Sequence, residues 1–255
     1  YRSRLKGNQA WLRHLRSRRM HMATWLCPQP MTCSIGTSDI RLEVAANPFR
    51  IFLMGLPFES CLNLRDGTHR NAVLANAYEA NKAVLFALDD CGNILGRKLV
   101  GINNRFELVG FRTYVSHPDE GCRESLSAKM NAYCGAWAKA CGLALSNSGS
   151  VRSLASLDWY DDGLEAWSLD ALRSWTSGQV ITEGTDSPQV SPLSEAAQRH
   201  WPACRELLKS IDLCPPPEGQ NPQTLLAETP ELMEELLALV AEEKLDHDLL
   251  QTLRQ

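Results

Sequence analysis

Apolar residues recur with a helical period near the start of the chain, between residues 8 and 26. They are Trp11, Leu15, Met22 and Leu26. Arginines fill most of the remaining faces, so the pattern predicts a basic amphipathic helix. Pro28 and Pro30 should end this helix, because a proline lacks the N–H group that a helical hydrogen bond needs.

The next elements alternate between apolar and polar residues, which is typical of strands. Residues 39–45 predict a half-buried strand that stops at Pro48. Three β-rich runs then follow, separated by turn sequences at 89–93 and 103–105. The runs are 83–88, 94–102 and 107–115. They predict an antiparallel β-meander.

Helical patterns flank the meander. Residues 71–80 predict a short helix, and 124–140 predict a long one that Gly142 caps. Further helices are expected at 164–175, at 194–211 and after Thr229. Residues 177–192 are rich in Gly, Ser, Thr and Pro and lack an apolar period, so we expect a linker there.

These elements predict an α/β fold of the α+β type, in which an antiparallel β-meander packs against helices and a helical C-terminal segment follows. A chain of 255 residues is long enough for such a domain with a helical appendage. The expected organisation is a basic helical arm at 1–26, an α/β domain at 27–176, the linker at 177–192 and an acidic helical segment at 193–255.

Composition narrows the class of protein. Apolar residues make up 44% and charged residues 22% of the chain, which is typical of globular proteins. No run approaches the roughly 20 apolar residues of a membrane span, and no signal peptide is recognisable. Nine scattered cysteines are expected to be reduced thiols, so we expect a cytoplasmic protein. A chain that begins with Tyr1 instead of Met is expected to be a fragment, a processed product or a chain whose first residues are missing.

Charge is distributed unevenly along the chain. The first nineteen residues contain seven Lys and Arg residues and no acid, whereas the last thirty or so are strongly acidic. Such an arm should either pair with the acidic end of the same chain or bind a separate polyanion. The residues predicted to contact nucleic acid or an acidic protein are Arg13, Arg16, Arg18 and Arg19.

Three strands followed by a long helix, over residues 82–145, resemble the central part of the GNAT acetyltransferase fold. In that family, backbone amides of a glycine-rich loop at the helix N-terminus hold the pyrophosphate of acetyl coenzyme A. The corresponding segment here is 117–123, which contains one glycine and the acids Asp119 and Glu120. The resemblance implies an acyltransferase.

Cys61 is a candidate nucleophile for a cysteine-dependent hydrolase. Such a thiol needs a base and a group that orients the base. His69 or His117 could act as the base, with Asp66 or Asp119 as the orienting group. The alternative interpretation places Cys61 in the core.

Lys82 and Arg97 are candidate ligands for an anion, with the amides of Asn76 and Asn81 fixing its orientation. The alternative is a solvated sheet face with ordinary salt bridges. We predict no metal site from Cys27, Cys33, His117 and Cys122, because zinc ligands usually come in closely spaced pairs and no Cys-x-x-Cys motif occurs. No cofactor is identifiable.

The sequence therefore favours a module of a larger intracellular assembly that contacts nucleic acid or an acidic protein through its basic arm. The alternative is an enzyme, either a GNAT-like acyltransferase or a cysteine-dependent hydrolase. Convergence of Cys61 and Arg97 on one concave pocket would favour the enzyme.

Overall fold

A computed structural model describes residues 6–18, 20–45, 48–63, 67–154 and 159–167. Its helices are α1 (Lys6–Arg16), α2 (Met22–Leu26), α3 (Pro48–Phe52), α4 (Arg70–Tyr78) and α5 (Glu120–Cys141). Its strands are β1 (Met31–Ile35), β2 (Ser38–Val44), β3 (Lys82–Leu88), β4 (Ile94–Ile102), β5 (Glu107–Val115) and β6 (Ala144–Leu145). The predicted linker and acidic helical segment lie outside these residues.

The six strands form one mixed sheet in the order β1-β2-β3-β4-β5-β6. All neighbours are antiparallel except β5 and β6, which are parallel. The predicted meander is confirmed as β3, β4 and β5. Strands β1 and β6 were not predicted, because the alternation of β1 extends over only five residues and β6 contains only two.

A β-bulge separates the two halves of the β4–β5 pair. Lys98 pairs with Thr113, whereas Val100 pairs with Gly110, so β5 carries one extra residue. Gly110 leaves room for the Trp167 ring, because a Cβ atom at this position would lie 2.6 Å from one of the ring carbons. The bulge therefore bends β5 where residues 159–167 cross it.

Helices cover both faces of the sheet. The first apolar layer lies between the sheet and α3–α4 and includes Phe52, Val73 and Phe86. The second lies between the sheet and α2 with α5 and includes Trp25 and Trp137, whose rings stack with centroids 4.5 Å apart. Alternate residues of β3 enter opposite layers, so this strand is buried on both faces. One sheet with helices on both faces confirms the α/β class.

The prediction of one continuous helix over 8–26 is wrong, because the chain breaks between α1 and α2. His21 N–H donates to the carbonyl of Cys141, the last residue of α5, and thereby turns the chain. Trp25 is buried, and its Nε1 donates to Ala80 O at 2.7 Å. Tertiary packing of α2 thus overrides the helical period of the sequence.

Helix α5 has well-defined ends. Asp119 is its N-cap, and the carboxylate accepts the Cys122 N–H at 2.7 Å. Gly142 ends the helix with a φ of 74°, as predicted. The helix expected from residue 164 is wrong over 164–167, where Leu164 instead forms an antiparallel bridge with Phe111. None of the helices described is sufficiently long and apolar to cross a membrane.

Candidate functional site

Helix α1 is held firmly on the domain. Its residues Leu12 and Leu15 are buried against the rest of the domain. The Asn8 side chain donates to Tyr78 O at 2.7 Å and accepts the Ala80 N–H at 3.0 Å. These contacts fix α1 beside the end of α4, so its outer face has a defined orientation.

The outer side of α1 and the following turn display cationic groups. Arg13, Arg16 and Arg18 are exposed, and no ion pair joins them to an acid within the described residues. The Arg18 guanidinium lies 4.8 Å from the Phe106 ring centroid, and the His14 ring lies 5.0 Å from the same centroid. We call Arg13, His14, Arg16, Arg18 and Phe106 the basic surface. Arg19 lies outside the described residues.

A second constellation surrounds Arg97, whose side chain is fully buried. Arg97 Nη2 donates to Asp162 Oδ2 at 3.0 Å and to Ser60 Oγ at 3.3 Å. The Tyr114 hydroxyl donates to Asp162 Oδ1 at 3.4 Å, and the Tyr114 ring lies beneath the guanidinium. Cys61 Sγ lies 3.9 Å from the same oxygen of Asp162. Cys61 and Arg97 therefore contact the same carboxylate, that of Asp162, but neither lines the cleft between β5 and α5.

The environment of Cys61 favours the thiol over the thiolate. Burial raises the pKa of Cys61, the charge of Asp162 raises it further, and Arg97 only partly opposes this. Because the thiolate is the nucleophile, these effects reduce the reactivity of Cys61.

The structure does not place either predicted histidine base beside the Cys61 thiol. The His69 ring stacks on Tyr160, with centroids 4.1 Å apart, while its backbone N–H donates to Cys61 O. His117 lies at the start of α5 and accepts the Asp119 N–H at 3.1 Å. Within the described residues, the side-chain partners of Cys61 are Asp162 and Tyr160. Asp66 lies outside that part of the chain.

Lys82 and Arg97 lie on the same face of the sheet but do not share a ligand position. Arg97 pairs in register with Phe86, four residues from Lys82, so about 13 Å separates them along the strand. Lys82 instead pairs with the buried carboxylate of Glu79, and its Nζ lies 4.6 Å from the Trp159 ring centroid. Asn76 and Asn81 contact Trp159 and Arg152 respectively.

The opposite face contains a third buried cation, Lys98. Its Nζ donates to Glu165 Oε2 at 2.9 Å and lies 5.2 Å from the Trp167 ring centroid. Asp162 and Glu165 thus neutralise cations on two faces of one sheet from a single short segment. Neither acid was predicted as the partner of a buried cation, because the segment 159–167 lacks a strand or helix period.

A cleft of about 440 Å³ opens between the end of β5 and the first turns of α5. It is lined by Thr113, Val115, Arg123, Glu124, Ser127, Ala128 and Asn131. Asn131 is 6% exposed, and its Oδ1 has no hydrogen-bond partner among the residues described. A ligand with an N–H or O–H group could satisfy this oxygen.

The start of α5, with the residues just before it, brings together three side chains that can bind a metal ion. One ligand atom each from His117, Asp119 and Cys122 lie within 4.8 Å of one another. Cys27 and Cys33 do not belong to this group. Sequence spacing alone did not join His117 and Cys122 to Asp119.

Comparison with known proteins identifies no relative of this chain. No protein-family model matches it, and neither the curated proteins nor the solved structures contain a match.

Proposed function

We propose that this chain is a nucleic-acid-binding module that contacts the phosphate backbone through its basic surface. The observation that carries the proposal is the rigid display of Arg13, Arg16 and Arg18. Leu12 and Leu15 anchor α1, while these three guanidiniums face solvent without an acidic partner in the described part of the chain. A preformed cationic surface loses little conformational entropy when it binds.

Arginine suits a phosphate partner particularly well. Its planar guanidinium donates two parallel hydrogen bonds to phosphate oxygens. Phe106 adds an aromatic ring beside Arg18, and such rings contribute by stacking on unpaired bases. Together these groups favour a nucleic acid over an acidic protein segment.

The test compares two double variants in a binding titration with fluorescently labelled duplex DNA and single-stranded RNA. R16A/R18A removes two charges from the basic surface, whereas R112A/R152A removes two exposed arginines elsewhere. We expect the parent and R112A/R152A to bind at low salt and weaken as salt rises. In R16A/R18A, the log-log salt slope should become shallower by about 0.9 for each duplex phosphate that the variant no longer neutralises.

Three results would contradict the proposal. The parent chain could fail to bind at low salt, which would fit neutralisation of the arm by the acidic end of the same chain. The two double variants could weaken binding equally, which would indicate a general charge effect. Finally, polyglutamate could bind the basic surface more tightly than nucleic acid does, which would assign it to an acidic protein.

An acyltransferase related to the GNAT fold is the second candidate, and one observation favours it. After α5 the chain returns as β6, parallel to β5, so a strand–helix–strand unit completes the meander. The cleft between β5 and α5 is large enough for part of a cofactor. Asp119, however, already accepts the Cys122 N–H, so a phosphate at that helix end would meet a carboxylate. Contacts from Arg123 would have to replace the amide contacts of the family.

A further inference from the structure

We infer that His117, Asp119 and Cys122 form a zinc-binding site at the start of α5. Their ligand atoms lie within 4.8 Å of one another, and all three come from a segment of six residues. The site is separate from the basic surface, and nothing in the proposed nucleic-acid contact requires it.

The three donors suit zinc better than other common cations. A thiolate, an imidazole and a carboxylate provide sulfur, nitrogen and oxygen ligands, whereas Mg²⁺ and Ca²⁺ prefer oxygen alone. The charge also balances, because Zn²⁺ is neutralised by one thiolate and one carboxylate. Three protein ligands leave a fourth position for water or another small ligand.

The required rearrangement is small. Ligand atoms around tetrahedral zinc lie about 3.5 Å apart, given bonds of about 2.0–2.3 Å. Closing from 4.8 Å needs side-chain rotation at His117 and Cys122, which are half-buried, and at Asp119, which is exposed. A metal ion on His117 Nδ1 would replace the hydrogen bond that this atom accepts from the Asp119 N–H at 3.1 Å. The backbone is already held, since Arg123 Nη1 donates to the carbonyls of His117 and Pro118 at 2.6 and 3.1 Å.

The capping hydrogen bond prepares the carboxylate for this role. Asp119 Oδ1 accepts the Cys122 N–H, which fixes the carboxyl group, and the Cys122 thiol also hydrogen-bonds to this carboxylate, so the thiol must lose its proton when a metal ion binds. Hydrogen bonds of this kind orient metal ligands in many proteins. The exposed carboxylates of Glu120 and Glu124 add negative charge around the loop and offset the nearby Arg123 guanidinium.

Cobalt substitution tests the inference in the full reduced chain. Co²⁺ bound by a thiolate produces an intense charge-transfer absorption, and Zn²⁺ should displace it. We expect the parent and C91S, a control in an exposed turn, to share this absorption. C122S should lose the part of the absorption that comes from the Cys122 thiolate, and H117A should bind Co²⁺ at least tenfold more weakly than the parent.

Other cysteines could contribute absorption to every variant, so the difference in absorption between C122S and C91S tests whether Cys122 binds the metal. Equal absorption and affinity in these two variants would overturn the inference, as would a parent chain that shows no such absorption with excess Co²⁺. Thermal unfolding without metal checks that C122S and H117A remain folded.

Discussion

Asp162 lies 3.0 Å from Arg97, and both side chains are almost completely removed from solvent. The pair joins residues 65 positions apart and fixes the segment 159–167 to the centre of the sheet. Removing one member leaves the other as an uncompensated buried charge, which is far more costly than losing an exposed ion pair.

D162A should therefore lower the free energy of unfolding by about 3–5 kcal/mol. Urea denaturation measures this loss. D90A is the matched control, because Asp90 is exposed in the turn between β3 and β4 and should change stability by less than about 0.5 kcal/mol. Equal losses in the two variants would show that the Arg97 pair contributes no more than a surface acid.

Cys61 should react slowly with an alkylating reagent at neutral pH. Burial and the charge of Asp162 raise its pKa, so little thiolate is present. Cys91 is exposed and should be modified first. Mass spectrometry after brief labelling of the native chain gives the order. If Cys61 reacts faster than Cys91, the hypothesis of a cysteine-dependent hydrolase regains support.

Glu165 should make stability depend on pH. Burial acts to raise its pKa, but Lys98 and the hydrogen bonds from Thr113 outweigh this and hold the pKa below its ordinary value. A lowered pKa in the folded state stabilises the fold above the unfolded pKa of about 4.3. That contribution is lost as pH falls through the folded value.

E165Q removes this titration. The stability difference between the parent and E165Q should be largest near neutral pH and should shrink below about pH 4. Urea titrations across this range measure it. A difference that is constant with pH would mean that the Glu165 charge makes no net contribution.

Acetyl coenzyme A tests the acyltransferase candidate. A cofactor bound only by the folded state stabilises it by about 2.7 kcal/mol at one hundred times its Kd, so the thermal midpoint should rise. S127W fills the cleft from α5 and should abolish the rise. An unchanged thermal midpoint of the parent chain at millimolar cofactor would exclude the acyltransferase. An equal rise in the parent and in S127W would show that the cofactor does not bind in this cleft.

The sequence predicts the meander and α5 well, because each has a clear period of two or of three to four residues. It predicts the sites poorly. Lys82, Arg97 and Lys98 are adjacent to apolar strand residues, and alternation alone predicts that the charged residues of such strands face solvent. They are buried because Glu79, Asp162 and Glu165 meet them, and two of these acids come from a segment without any period.

The same limitation applies to the loop before α5. Zinc motifs are recognised in a sequence by paired cysteines or histidines, whereas His117, Asp119 and Cys122 provide one residue of each type. Their proximity depends on the N-cap geometry of Asp119. The break between α1 and α2 was equally hidden, because it results from contacts with the distant residue Cys141.

Residues 159–167 determine where the chain can be shortened. This segment supplies Asp162 to Arg97 and Glu165 to Lys98, and its two tryptophans cover Lys82 and Lys98 on opposite faces. An expression fragment that stops after β6 would contain every described strand yet leave two buried cations without counter-charges. The smallest version suited to crystallisation or NMR should therefore include Trp167, even though the last described strand ends at Leu145.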